Sequence, residues 1–448
     1  SFLTAALCRH FANRDIRVAP FKAQNMSNNA AVTPDGREIG RAQYLQALAA
    51  RTTPQARMNP ILLKPSADTF SQVIVMGKVD SLVGALPWME RKHYLWPIVQ
   101  DALHGLLQDY EQVVIEGAGS PAEINLRAGD IVNMSVALAC QADVYLVADI
   151  DRGGAFAHLL GTWQCLERDE QQLIKGFILN KFRGDPQLLG NAMDWLQERT
   201  RIPTVALIPM ISHALPEEDT LQHRAQLTAH QINIALLAYP YASNLDEFDP
   251  LIDEPGITVV PLRDFARLDG YHAVILPGSK NTSASLQHLR QSGLAAEISR
   301  AAQRGVPILG VCGGMQLLGQ EIRDPLQLEG RDCRGLGLLD VITTLTQEKI
   351  TRQRVVPWNG ALLKGYEIHH GQTEASAHVH VHLPDGLGWR QDNVYGVYLH
   401  ELFANPLYRQ QFLARLGWQG QTEKDWTTII DAELNRIAQL IPDSGWRI

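Results

Sequence analysis

Hydrophobic positions along this chain switch repeatedly between two periods. Phe2, Leu3, Ala6, Leu7 and Phe11 recur at helical spacing, so residues 1–12 are expected to form an amphipathic helix. Short apolar runs then return at about 16–20, 72–76, 112–116, 144–149, 176–180 and 204–208, each short enough to be a buried strand. Helical stretches near 39–51, 95–109, 131–140, 155–167 and 187–199 fill most of the gaps. Such alternation predicts a mostly parallel, doubly wound α/β sheet. After Pro209 the pattern turns polar through His230, and the apolar run Ile232–Ala238 opens a second α/β unit. Beyond about 407 the chain ends in helix-like segments carrying Trp418, Trp426 and Trp446. The expected organisation is a first domain at 1–211, a linker at 212–230, a second domain at 231–407 and a helical tail at 408–448.

Composition narrows the class. At 448 residues, 45% hydrophobic and 20% charged, the chain suits a multidomain enzyme with sizeable cores. No apolar run approaches the length that spans a bilayer, and the first residues lack the charged region and cleavage site of a signal peptide. No membrane partner is expected. Five irregularly spaced cysteines without a C-x-x-C pair predict a reducing, cytoplasmic setting and no zinc site. A net charge of −8 argues against a nucleic-acid partner.

The chemistry concentrates first at Gly310-Val-Cys312-Gly313-Gly314, a nucleophile elbow with cysteine at its tip. The run Val306–Val311 would feed the turn and Met315–Leu318 would start the helix behind it. Glycines on both sides suit a strained turn, and the helix start favours a thiolate. A lone cysteine is more often a small buried hydrophobe; here the whole turn carries the signal. A cysteine nucleophile needs a base, and Asn393-Val-Tyr-Gly-Val-Tyr-Leu-His400 is a strand-like run ending on a histidine. By itself His400 would pass for a capping or core residue; paired with the elbow it becomes the expected partner.

These residues resemble the class I (triad-type) glutamine amidotransferase domain, with Cys312 as nucleophile and His400 as its partner. Leu276-Pro-Gly278-Ser-Lys-Asn-Thr282 looks like that family's oxyanion loop, which implies backbone donors at Gly278 and Gly313. Many such domains carry Glu two positions after the histidine, where this chain has Leu402. Glu401 is adjacent and would point the other way on a continuing strand. The variant without that Glu resembles the cobyrinate and cobyric acid synthases, as does Lys364-Gly-Tyr-Glu367-Ile-His369, where Glu367 or His369 would orient glutamine or remain core-strand residues.

The first half offers strand ends rich in polar groups. Ala19-Pro-Phe-Lys22-Ala-Gln24-Asn25-Met26 places a lysine where it meets phosphates or substrate carboxylates. Val113-Val-Ile-Glu116-Gly-Ala-Gly runs a buried strand onto a carboxylate suited to Mg²⁺ beside nucleotide phosphates, and Val147-Ala-Asp149-Ile-Asp151-Arg152-Gly-Gly154 repeats that logic. Solvated loop charges are the plain alternative, but in a doubly wound sheet these ends converge on one edge. Asn180-Lys181 looks like the base-reading pair of related P-loop synthetases.

Together with Arg57-Met-Asn-Pro-Ile-Leu-Leu-Lys-Pro65 and Asn180-Lys-Phe-Arg-Gly184, these strings resemble the cobyric acid synthase family from residue 1 to about 405. The resemblance implies two doubly wound α/β domains: a P-loop synthetase-like (dethiobiotin-synthetase-like) domain and a class I glutamine amidotransferase domain. It also implies ATP and Mg²⁺, with glutamine and a corrinoid as substrates. The corrinoid, adenosylcobyrinic acid a,c-diamide, would be amidated at its b, d, e and g carboxylates. Ser1 aligns with the serine closing that family's phosphate loop. No G-x-x-x-x-G-K-[ST] occurs in the sequence. The expectation is therefore a first domain lacking its first strand and P-loop here, with ATP turnover absent from residues 1–448 alone and glutamine hydrolysis retained. Alternatives are the sister a,c-diamide synthase, a partition-type ATPase or binding module, and a plain cysteine hydrolase; the last leaves the motifs of the first half unexplained.

Overall fold

The computed structural model describes residues 1–67, 70–216, 227–228, 231–329, 331–422, 425–442 and 446. Most of the expected linker, at 217–226 and 229–230, lies outside the described residues.

In the first half, α1 (Phe2–Ala12) leads into β1 (Val18–Phe21). Short strands β2 (Gln24–Met26) and β3 (Ala30–Val32) follow, then α2 (Arg41–Ala49), which starts at Arg41 because Gly40 is extended. The segment Ile61–Ala67 and the expected strand near 72–76, observed as Phe70–Val75, form an antiparallel ribbon whose inner edge pairs with β2. That ribbon corrects the expectation that 72–76 belongs to the parallel sheet: Phe70–Val75 pairs antiparallel with its neighbour in sequence, Ile61–Ala67, and the turn at Met76–Gly77 brings Lys78–Val79 against its other edge. Four longer strands follow the expected rhythm: β4 (Gln112–Ile115), β5 (Val144–Asp149), β6 (Ile174–Phe182) and β7 (Thr204–Pro209).

The single sheet expected of these strands is split. β1 pairs in parallel with β4, while β7, β6 and β5 form a separate parallel sheet in that order. Side chains rather than a shared ladder unite the pieces: Val18, Val114, Ile178 and Ile208 enter one core with Ala5, Ala6 and Phe11 of α1.

The second half centres on a seven-stranded sheet. Its strands are β8 (Ile232–Leu237), β9 (Ile257–Leu262), β10 (Ala273–Leu276), β11 (Ile308–Val311), β12 (His380–Leu383), β13 (Gly388–Gln391) and β14 (Val394–Val397). They run in the order β9-β8-β10-β11-β14-β13-β12, parallel from β9 to β14 and antiparallel at the β13–β12 edge. Helix α3 (Gly313–Leu318) follows β11. A long antiparallel hairpin, Val341–Trp358 with Ala361–Ala375, projects from this unit. Its Tyr366 and Ile368 are buried with Ala30, Val32, Leu62 and Ile74 of the first half, so the hairpin joins the two units.

The C-terminal helices divide their packing. α4 (Pro406–Arg415) lies on the second unit, where Phe412 meets Phe403 edge-on. α5 (Trp426–Ala438) returns to the first: Trp426, Ile430, Leu434 and Ile437 fill the core around α1, and Arg9 Nη1 reaches Asp431 Oδ1 at 2.6 Å. Each such apolar side chain contributes roughly 1.5–3 kcal/mol when fully buried, enough to make α5 part of the first unit's core.

Candidate active site

Cys312 sits where β11 turns into α3, at φ 52° and ψ −111°, a left-handed conformation that a non-glycine residue holds only when its surroundings enforce it. The glycines enforce it. A Cβ on Gly314 would stand 1.9 Å from the Leu276 carbonyl oxygen, and one on Gly313 would stand 2.5 Å from Ser279 N. The loop after β10 therefore lies directly against the elbow. On that loop, a Cβ at Gly278 would come within 3.7 Å of His400 Cε1, so Gly278, Gly313, Cys312 and His400 share one small space. Cys312 is 8% exposed, and its thiol points to the Ile368 carbonyl at 3.7 Å.

His400 lies just beyond β14, its N–H bonded to the Tyr366 carbonyl at 2.9 Å and its ring stacked on Tyr366. Nδ1 meets Glu247 Oε1 at 3.0 Å, and the Glu401 N–H donates to Glu247 Oε2. Nε2, the other ring nitrogen, is buried and lies on the side of the Cys312 thiol. Burial alone would depress the imidazolium; the Glu247 carboxylate first, then the adjacent Cys312, carries it up to about 10. Leu402 is buried, and the carboxylate that meets the histidine ring is Glu247, from the turn after β8. Sequence reasoning missed it. The available signal was Asn244-Leu-Asp-Glu247, acids just past the C-terminal end of a buried strand.

A pH prediction follows from this geometry. His400 faces Glu247, Cys312, Tyr366 and His369, with Glu401, Asp246 and Arg41 just behind. A thiolate–imidazolium pair persists only below the imidazolium pKa. In Glu247→Gln the alkaline limb of the glutaminase pH–rate profile should therefore move to lower pH by about 1–3 units. The rate should also fall by roughly 10- to 100-fold, less than the ~10²–10⁴ a general base itself contributes. An unmoved alkaline limb would separate Glu247 from the titration of His400.

Glu367 and His369 lie on the neighbouring hairpin strand, already engaged with the protein. Glu367 Oε1 accepts from Arg352 at 2.7 Å, and Oε2 lies 3.3 Å from His369 Nε2. His369 Nδ1 meets the Gly371 carbonyl, and its ring stacks on Tyr398 at 3.6 Å. These partners hold both side chains on the strand whose Ile368 carbonyl lies beside Cys312.

In the first unit, the adjacent ends of β1 and β4 bring Lys22 to Glu116. Lys22 Nζ donates to Glu116 Oε1 at 3.1 Å, Ser1 Oγ to the same oxygen at 2.8 Å, and Gln46 Nε2 to Oε2 at 2.6 Å. Burial would raise the Glu116 carboxyl; the Ser1 amino group, Lys22 and these hydrogen bonds outweigh it and hold the group below the ordinary carboxylate range. Gln46 is a second residue the sequence reading passed over. Asn25 is buried and donates to Gln43 Oε1, while Gln24 is half-buried on the same strand. At the ends of β5 and β6, Asn180 Nδ2 donates to Asp149 Oδ1 at 3.0 Å and Lys181 pairs with Oδ2 at 2.9 Å. Asp151 and Arg152 are exposed beside them. Among the described residues no group of three or more His, Cys, Asp or Glu could hold a metal ion, so a metal here would depend on single carboxylates with phosphate and water.

Residues 233–408 match the CobB/CobQ-like glutamine amidotransferase domain, and residues 1–220 match the CobQ/CobB/MinD/ParA nucleotide binding domain. The chain is thus a glutamine amidotransferase joined to a nucleotide-binding unit. It is 50% identical over 455 residues to the cobyric acid synthase of Deinococcus radiodurans, covering 98% of this chain and 94% of that one. It is 49% identical over 431 residues to the cobyric acid synthase of Polaromonas naphthalenivorans, covering 91% and 88%. To that of Paracidovorax citrulli it is 50% identical over 480 residues, covering 100% and 95%. The chain belongs to the cobyric acid synthase family, and its nucleotide-binding domain implies use of ATP. Among the described residues no helix is long and apolar enough to cross a membrane.

Proposed function

We propose that the enzyme, working in the cytoplasm, amidates the b, d, e and g carboxylates of adenosylcobyrinic acid a,c-diamide with ammonia from glutamine. The Cys312 turn, packed on the 276–279 loop beside the buried His400–Glu247 pair, is the observation that carries this reading. The Cys312 thiolate attacks the side-chain amide carbon of glutamine, and the N–H groups of Gly278 and Gly313 donate to the developing oxyanion. His400 gives its proton to the departing ammonia, then takes one from the water that cleaves the glutamyl thioester.

The ammonia crosses to the first unit. There the γ-phosphoryl of ATP passes to a corrinoid carboxylate, because hydroxide is too poor a leaving group, and ammonia displaces the phosphate. Lys22 offsets phosphate charge, and Ser1, Gln24, Asn25 and Asn180 line the nucleotide and substrate side. Asp149, Asp151 and Arg152 position the corrinoid. Mg²⁺ characteristically takes one or two carboxylates plus phosphate oxygens, so Glu116 fits as its protein ligand, where the ion would neutralise the phosphates.

The test is a mass spectrum of the corrinoid after incubation with glutamine, Mg-ATP and the protein. Four OH-to-NH₂ exchanges are expected. An unchanged corrinoid alongside released glutamate would mean that the acceptor is wrong.

A further inference from the structure

We propose that Arg41, a residue of the first unit, is a positioning residue for glutamine hydrolysis in the second. It opens α2, and its guanidinium grips two carboxylates across the interface: Nε donates to Asp246 Oδ2 at 2.7 Å and Nη1 donates to Glu401 Oε1. Asp246 is the chain neighbour of Glu247, and Glu401 is the chain neighbour of His400. One side chain therefore fastens both backbones that carry the histidine–glutamate pair. Its position is enclosed, with 15% of the Arg41 side chain and 5% of that of Asp246 exposed.

The local backbone needs such a fastening. Glu401 adopts a φ of 60°, a left-handed conformation that costs a non-glycine side chain free energy, and Asn244 nearby adopts 55°, which asparagine tolerates more readily. Three carboxylates, Asp246, Glu247 and Glu401, converge here. Without Arg41 their mutual repulsion would open the turn and draw Glu247 from His400 Nδ1. A second hold comes from the same side: Ala30 N–H donates to Asn244 Oδ1, Asn244 N–H donates to Asn29 Oδ1, and Tyr366 Oη donates to the Ala30 carbonyl while its ring stacks on His400.

Helix α2 also reaches the other reaction centre. Gln46, roughly 7–8 Å along the helix from Arg41, donates to Glu116. The element that steadies His400 thus touches the carboxylate assigned to the phosphate site, and this link rests on the function proposed above.

The experiment measures glutamate release without corrinoid. Arg41→Ala should lower kcat by about 10- to 100-fold, within the usual range of intersite coupling, with KM for glutamine within about twofold. Arg41→Lys should recover part of the loss, since one amine can hold one of the two carboxylates. Thermal melting checks that the variant is folded; if Arg41→Ala is not, Asp246→Asn removes one half of the clamp and should show the same kcat-selective loss. Ammonia-dependent amidation should persist in these variants. An unchanged kcat, or kcat and ammonia-dependent amidation falling by one factor, would overturn the proposal. Failure of the wild type to amidate the corrinoid would refute the proposed function while leaving the glutaminase comparison valid.

Discussion

Replacing Cys312 with alanine should lower glutamine-dependent amidation by about 10⁴-fold or more, while amidation supplied with ammonium salt continues near the wild-type rate. The asymmetry follows from placement. Cys312 is the cysteine at the tip of the elbow, its thiol sits between the Ile368 carbonyl and His400, and the first unit's strand ends are built from other residues. Alanine tolerates the turn's geometry poorly, as any non-glycine does, but no more poorly than the native cysteine, and it adds no volume. The folded state and the first unit should therefore survive. Glutamate release and corrinoid mass, measured with each nitrogen source, separate the two half-reactions. Equal loss with glutamine and ammonium would mean that Cys312 is structural.

The second large effect lies in the other unit. Glu116→Gln should reduce ATP-dependent amidation by roughly 10²–10³-fold with either nitrogen source, the size seen when one preorganised electrostatic group is removed. The carboxylate is nearly enclosed and takes hydrogen bonds from Lys22, Ser1 and Gln46. Glutamine keeps the shape and an oxygen for Gln46, so helix α2 stays anchored. It removes the charge that partners Lys22 and the ligand that suits Mg²⁺. Alanine would be a poorer probe, because it would also remove the oxygens that accept from Lys22, Ser1 and Gln46. Glutamate release in the absence of corrinoid should stay within a few fold of wild type. A parallel fall in glutamate release would place Glu116 in folding or interface stability instead.

What the sequence could disclose was local. The elbow announces itself because Gly310, Gly313 and Gly314 must lie beside Cys312, where any Cβ meets backbone atoms of the 276–279 loop or of the turn itself. The Lys22 and Glu116 strand ends were visible because a short buried run ending on a charge is a local pattern. Residues whose roles are set by tertiary contact stayed hidden. Glu247 reaches His400 only once distant segments of the second unit pack together, and Arg41 reaches Asp246 and Glu401 only where the two units meet. Periodicity also could not tell which edges pair: Phe70–Val75 reads as any buried strand, yet its ladder is the antiparallel ribbon with Ile61–Ala67. The return of α5 to the α1 core was equally invisible, since an apolar helix face does not name its partner.

The central claim is that nitrogen released at Cys312 is delivered to the corrinoid within the same protein. It is tested most directly by mass analysis of the corrinoid made from amide-¹⁵N glutamine in the presence of excess unlabelled ammonium. The account predicts ¹⁵N in the new amides despite the unlabelled pool. Amides labelled only in proportion to the mixed ammonium in solution would contradict it.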